Sequence, residues 1–77
     1  MITWHPTAHG QSATVMAGGV VIARLNARPD AWQIEHHGGL QSGGANSVPN
    51  AKRTALQELA KVLASAAFEV DVALRAV

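Results

Sequence analysis

The chain contains no cysteine, and this absence removes three kinds of chemistry at once. Disulfide bonds, zinc sites built on thiolates and cysteine nucleophiles are all excluded. The composition is compatible with a reducing compartment, and we expect a cytoplasmic protein. Residues 1–6 have neither the basic region nor the apolar region of a secretory signal, which agrees with this expectation.

Charged residues are also scarce, at 14% of the chain, and aromatic residues make up only 4%. Six Lys and Arg against five Asp and Glu give a net charge of +1, so the overall charge does not favour phosphate binding. No apolar run approaches the ~20 residues that a membrane-spanning helix needs. We therefore expect no membrane association.

Apolar residues make up 48% of the 77 residues, but fifteen of them are alanine. This leaves twenty-two larger apolar side chains to build a core. A chain of this length buries only about 60 to 65% of its unfolded surface, so a second copy or a partner would add needed buried area. We expect one domain over residues 1–77.

Residues 1–37 have the pattern of a β-meander, because short apolar or alternating runs are separated by turn residues at hairpin spacing. Gly18-Gly19 can supply the positive φ angles of a tight hairpin turn, and Pro29-Asp30 has turn chemistry. In the run 20–26, Val21, Ala23 and Leu25 share one face. In the run 32–37, Trp32, Ile34 and His36 fall on one face, with Gln33, Glu35 and His37 on the other. This is typical of a sheet with one covered face and one wet face.

Residues 38–47 hold four glycines and only one large side chain, Leu40, which predicts a mobile loop. A helix is predicted over 48–77, because strong helix formers follow. Either Asn50 caps this helix, or Ser47 does so with Pro49 in the first turn.

The predicted helix carries an apolar stripe whose spacing alternates between three and four: Leu56, Leu59, Leu63, Ala66, Val70, Ala73 and Val77. Its end is ambiguous, because residues 68–75 also alternate with period two. The helix either continues, straight or kinked, or ends near residue 67 before a short terminal strand. If it continues, Phe68, Val72 and Ala76 form a second apolar stripe on the otherwise polar side. Because a helix lying on a sheet buries one stripe, the second predicts a homodimer or a partner protein.

Together these patterns predict an α+β fold of two layers, in which one long C-terminal helix lies across an antiparallel meander of three or four strands. The expected core consists of Val21, Leu25, Trp32, Ile34, Leu56, Leu59 and Leu63.

Catalytic patterns are sparse. His5 and His9 would face the same way only on a helix, which the intervening proline disfavours, and adjacent His36 and His37 point to opposite faces of a strand. No serine lies in a Gly-x-Ser-x-Gly motif, and the five acidic residues offer no spaced pair. We therefore expect no enzyme, no metal, no cofactor and no small-molecule substrate.

Four cations are candidates for binding an anion or a nucleic acid. Lys52 and Arg53 lie in the first turn of the predicted helix, where they oppose the helix dipole and where a phosphate would relieve the repulsion. Arg24 and Arg28 on the predicted sheet could join them.

The segment 44–59 resembles the C-terminal strand-loop-helix part of double-stranded RNA-binding domains. The resemblance is carried by a glycine loop, a serine, an Ala-Lys pair and apolar residues at helical spacing: Ser47, Ala51, Lys52, Ala55 and Leu59. Val48 and Pro49 stand where that family has a lysine pair. The resemblance implies nucleic-acid binding.

In layout the chain also resembles small sheet-plus-helix proteins of phages and prophages, some of which dock onto host proteins. Our leading expectation is a non-enzymatic module that binds a protein or a second copy of itself. Nucleic-acid binding is the alternative, and a small enzyme ranks third.

Overall fold

The computed structural model describes residues 2–76, which form five strands and one helix. In chain order these are β1 (Trp4–Pro6), β2 (Gln11–Ala17), β3 (Val20–Ala27), β4 (Ala31–His36), β5 (Gly39–Gly44) and α1 (Val48–Arg75). The strands make one antiparallel sheet in the order β1-β2-β3-β4-β5, and α1 packs on one of its faces. The predicted α+β meander with one long C-terminal helix is confirmed.

The glycine-rich segment is where the prediction of a loop is wrong. Residues 39–44 form β5, which pairs with β4 from Ala31↔Gly44 to His36↔Gly39. Glycine is needed here because the Trp32 ring lies over Gly43: a Cβ atom on Gly43 would lie 2.6 Å from the Trp32 indole nitrogen. Strand pairing and this close aromatic contact outweigh the low intrinsic strand preference of glycine.

The turn between β2 and β3 follows the prediction. Gly18 and Gly19 have φ angles of 58° and 78°, the positive values that a two-residue type I′ hairpin turn requires. Next to this turn the β2–β3 register shifts by one residue. Val15 pairs with Ala23 but Met16 pairs with Val21, so Ile22 on β3 has no partner on β2. This β-bulge bends the start of β3.

The start and end of α1 settle two open alternatives. Ser47 is the N-cap, since its hydroxyl accepts a hydrogen bond from the Asn50 backbone N–H at 3.2 Å, and Pro49 lies in the first turn. The segment from Phe68 onward is helical as far as Arg75, so the terminal strand does not form.

Alanine dominates the contact between α1 and the sheet. The buried apolar residues in 2–76 are Ala13, Ala23, Leu25, Ala27, Ile34, Ala51, Ala55 and Leu59. Small side chains on both surfaces let the helix backbone lie close to β3 and β4, and the few large residues fill the remaining space. Trp32 and Leu56 pack against this core while partly exposed, as does the Trp4 ring.

Two residues of the expected core lie outside it. Val21 is 43% exposed, because it sits beside the bulge and beyond the last β3–β4 pair, Ala23↔His36. Leu63 is 42% exposed, because it lies one turn past Leu59, where the sheet no longer covers the helix.

A substitution at Ala55 tests how closely the helix and the sheet pack. Ala55 is fully buried between them, so Ala55→Leu should overfill the interface and lower the free energy of unfolding by about 1–3 kcal/mol. Urea denaturation would measure the change, with Ala60→Leu as the matched control because Ala60 lies exposed on the same helix. Equal stability of the two variants would contradict the close packing.

Candidate protein-docking surface

The helix α1 is much longer than the sheet that it covers. Every residue from Leu63 to Ala76 is exposed, a length of about 20 Å of helix at 1.5 Å per residue. We call residues 63–76 the arm. The molecule is correspondingly elongated, with extents of 48 × 25 × 19 Å. Its radius of gyration of 13.9 Å exceeds the value of about 11.5 Å for a compact domain of this length.

The arm projects past the end of the sheet that carries the two hairpin turns at 18–19 and 37–38. α1 begins after β5, at the opposite end of the sheet, where Gly44 pairs with Ala31. It then runs toward the turns, so that Leu59 reaches the core beside Ala23, near the last β3–β4 pair. The arm therefore lies level with or beyond the hairpin turns.

Strongly exposed large apolar side chains within residues 2–76 are confined to this part of the molecule. They are, on the arm, Leu63, Phe68, Val70, Val72 and Leu74, and, at the adjacent end of the sheet, Met16, Val20, Val21 and Leu40. The far end of the sheet, at Pro6 and Ala31, has none in the described range. Exposed apolar patches of this kind are typical of interaction surfaces.

A notch of about 430 Å³ opens in the same end of the sheet. It forms because β3–β4 pairing stops at Ala23↔His36, so that residues 20–22 have no partner on β4. Val20, Val21 and Ile22 form its apolar wall. The rest of its lining is mostly polar and includes Arg24 and Glu35, which pair on the face that α1 does not cover, and His36 and His37.

His36 lies at this notch, but its imidazole is not presented to a ligand. Its Nδ1 accepts a hydrogen bond from the Gly38 backbone N–H at 3.0 Å, which leaves the proton of the neutral ring on Nε2. Nε2 is buried and has no hydrogen-bond partner among the described residues. With Nδ1 bonded to the Gly38 N–H and Nε2 buried, neither ring nitrogen of His36 is presented to a ligand.

Two apolar stripes run along the arm. The inner stripe, on the side of the helix that faces the sheet at Leu59, consists of Leu63, Ala66, Val70 and Ala73. The outer stripe, on the opposite side, consists of Phe68, Val72 and Ala76. Both stripes are exposed. The sequence pattern predicted an uncovered outer stripe, and the structure adds the inner one, because the sheet ends near residue 62. Val77, the last member of the inner stripe, lies outside the described residues.

Charged groups are few on the arm. Glu69 and Asp71 lie between the two stripes, about 100° to either side of Val70 around the helix axis. Arg75 donates to Asp71 at 3.0 Å, an exposed ion pair one helical turn apart. Pairs of this kind contribute only tenths of a kcal/mol, so they leave the apolar character of the arm unchanged.

The two candidate cations on the helix have different environments. The Lys52 ammonium lies 5.0 Å from the centre of the Trp4 ring, in a cation–π contact on the helix-covered side of the sheet. Arg53, the next residue, is exposed. Lys52 thus has a packing role, and only Arg53 points freely into solvent.

The two candidate cations on the sheet lie elsewhere. Arg24 alternates with the buried residues Ala23 and Leu25, so it lies on the face that α1 does not cover. Arg28 is at the turn that follows β3, where its backbone N–H donates to Ala31 at 2.8 Å. The four predicted cations are therefore distributed over both faces of the sheet and are not gathered on one surface.

Groups suited to metal binding are not assembled in the part of the chain that the structure describes. Residues 2–76 contain no group of three His, Asp or Glu side chains that could hold a metal ion. His5, His9 and His37 are exposed. A smaller depression of about 220 Å³ on the open face is lined by Asn26, Arg28, Ala31, Trp32, Gln33 and Ser42, without an acid or a histidine.

Over the described range, no helical stretch is both long enough and apolar enough to cross a membrane. No protein family, no curated protein and no solved structure matches this chain. The function is therefore argued from the arm and the adjacent end of the sheet.

The cation–π contact gives Lys52 a stability role that Arg53 lacks. Lys52→Gln should lower the free energy of unfolding by about 0.5–1 kcal/mol, because it removes the charge above the Trp4 ring. Arg53→Gln is the matched control and should not lower stability, because it removes a charge that opposes the helix dipole and makes no ring contact. Thermal or urea unfolding would check this, and an equal loss in both variants would contradict the assigned role of Lys52.

Proposed function

We propose that this chain is a small non-enzymatic protein-interaction module that assembles through the arm, and that the partner covering the arm is a second copy of the chain. One observation carries the proposal: the strongly exposed large apolar side chains of residues 2–76 lie on the arm and on the end of the sheet beside it.

The arm needs a partner for physical reasons. Isolated helices shorter than about 12–15 residues are marginal in water, because helix nucleation is costly and packing supplies most helical stability. The arm is of this length and makes no contact that buries any of its residues. A helix that is apolar on both sides is normally buried. Contact with another protein surface supplies the missing burial.

A second copy fits the inner stripe by its spacing and its residue sizes. Intervals of three and four residues, sustained from Leu56 to Ala73, are the heptad pattern with which one helix packs against another. Along the arm the large residues alternate with alanine. A surface of this kind is self-complementary, since a two-fold axis can place each large residue against an alanine of the other copy.

Charge favours a protein partner over a nucleic acid. The arm carries two carboxylates, Glu69 and Asp71, and one guanidinium, Arg75, so a polyanion would be repelled. We call the rest of the described chain, residues 2–62, the body. Nucleic-acid binding would have to use the cations of the body, and the four candidate cations are divided between the two faces of the sheet. Lys52 is moreover engaged with Trp4.

Self-association can be tested by sedimentation velocity and by light scattering coupled to size exclusion. Wild-type protein at high micromolar concentration should be a dimer, and a variant with Phe68→Lys and Val70→Lys together should be a monomer. Both side chains are more than 60% exposed in one chain, so the fold of the body should survive. Its urea midpoint, compared at low protein concentration, would verify this.

Thr14→Lys is the matched control, because Thr14 is exposed on the open face of the sheet, away from the arm. It should dimerise like the wild type. A wild-type protein that stays monomeric over the whole concentration range would refute the proposal.

A further inference from the structure

We infer that two copies pack their inner stripes against each other in antiparallel orientation, with the two-fold axis level with Phe68. This inference rests on the proposed self-association, and it adds the orientation, the register and the face of the arm that is used.

Orientation follows from the position of the sheet. In each chain the sheet lies on the same side of α1 as the inner stripe and covers that side as far as residue 62. If two helices were parallel with their inner stripes in contact, both sheets would occupy the space between the helices at the same end. In the antiparallel arrangement each sheet lies at its own end, the arms overlap over residues 63–73, and the last residues of each arm reach the end of the partner's sheet.

Register follows from residue size. In an antiparallel helix pair, the first apolar position of one heptad faces the fourth position of the other helix. With the axis level with Phe68, Leu63 faces Ala73 of the partner subunit, and Ala66 faces Val70 of the partner subunit. The two-fold axis repeats both layers. Each of the four layers then joins one large residue and one alanine, whereas a parallel pair would stack alanine on alanine.

The same register brings the sheet ends into the interface. The last turn of the partner's arm comes level with Val62, next to the hairpin turns and the notch lined by Val20 and Val21. Of the exposed apolar residues at that end, Val20 lies on the helix-covered side of the sheet, whereas Met16, Val21 and Leu40 lie on the open face and stay outside the pair. The outer stripe remains on the outside of the pair.

One charged contact distinguishes this register. Glu69 flanks the inner stripe and, across the two-fold axis, lies beside Glu69 of the partner subunit. Like charges in such flanking positions oppose association by a few tenths of a kcal/mol. Glu69→Gln should therefore tighten the dimer about twofold at low salt. Asp71→Asn, which changes the carboxylate on the other flank, is the control and should not tighten it.

The decisive experiment uses the absence of native cysteine, because each introduced thiol is unique. Chains carrying Ala66→Cys and Val70→Cys, with tags of different size, would be mixed, allowed to exchange and oxidised with copper phenanthroline. The antiparallel register predicts a disulfide between the two different chains and little cross-linking of either variant alone. The pair Leu63→Cys and Ala73→Cys should behave in the same way.

Single lysine variants complete the test by identifying the face. Val70→Lys should abolish the dimer, while Phe68→Lys should leave it intact, because Phe68 lies on the outer stripe. Three results would overturn the inference while leaving self-association standing: efficient cross-linking of Ala66→Cys alone, preferential cross-linking of Val70→Cys with Ala73→Cys, or loss of the dimer in Phe68→Lys. A monomeric wild type would instead refute the proposed function itself.

Discussion

The close contact of α1 with β3 and β4 is the interaction on which the rest of the structure depends. Ala55 on the helix packs in one buried cluster with Ala13 and Ala23 on the sheet, and the small side chains allow the two layers to approach closely. The larger residues Leu25, Ile34 and Leu59 fill what remains. This contact ends with the sheet, near residue 62. Because the helix continues for about 20 Å beyond that point, the same contact that holds the fold also defines the arm as uncovered.

The division between body and arm gives a physical basis for the proposed assembly. The body buries most of its apolar residues within one chain, because one face of its sheet lies under the helix and the other face is mainly polar and lies in solvent. The arm does not bury its apolar residues, because no other element of the described residues 2–76 reaches it. The end of the sheet beside the arm shares this property, as the β-bulge and the early end of β3–β4 pairing leave Val20 and Val21 exposed. Both exposed regions lie at the same end of the molecule, Val20 on the helix-covered side of the sheet and Val21 on the open face.

Much of the fold could be predicted from periodicity and turn chemistry. The alternation in β3 and β4, the Gly18-Gly19 turn and the long helix are local signals, because each depends on residues close together in sequence. β5 could not be predicted in this way. Its glycines look like a loop until Trp32, on the neighbouring strand, is placed over Gly43. The predicted core was also partly wrong, because it consisted of large side chains only. Alanine becomes a core residue wherever two layers approach closely.

The sequence by itself determined the class of the fold and the two apolar stripes of the helix. These depend on helical and strand periods, which are properties of the local backbone. Only the tertiary structure decided how much of the helix the sheet covers, and hence that Leu63 and the inner stripe are exposed rather than buried. Coverage depends on the length and register of five strands relative to one helix. That relation is set by long-range pairing, which no local pattern in this chain encodes.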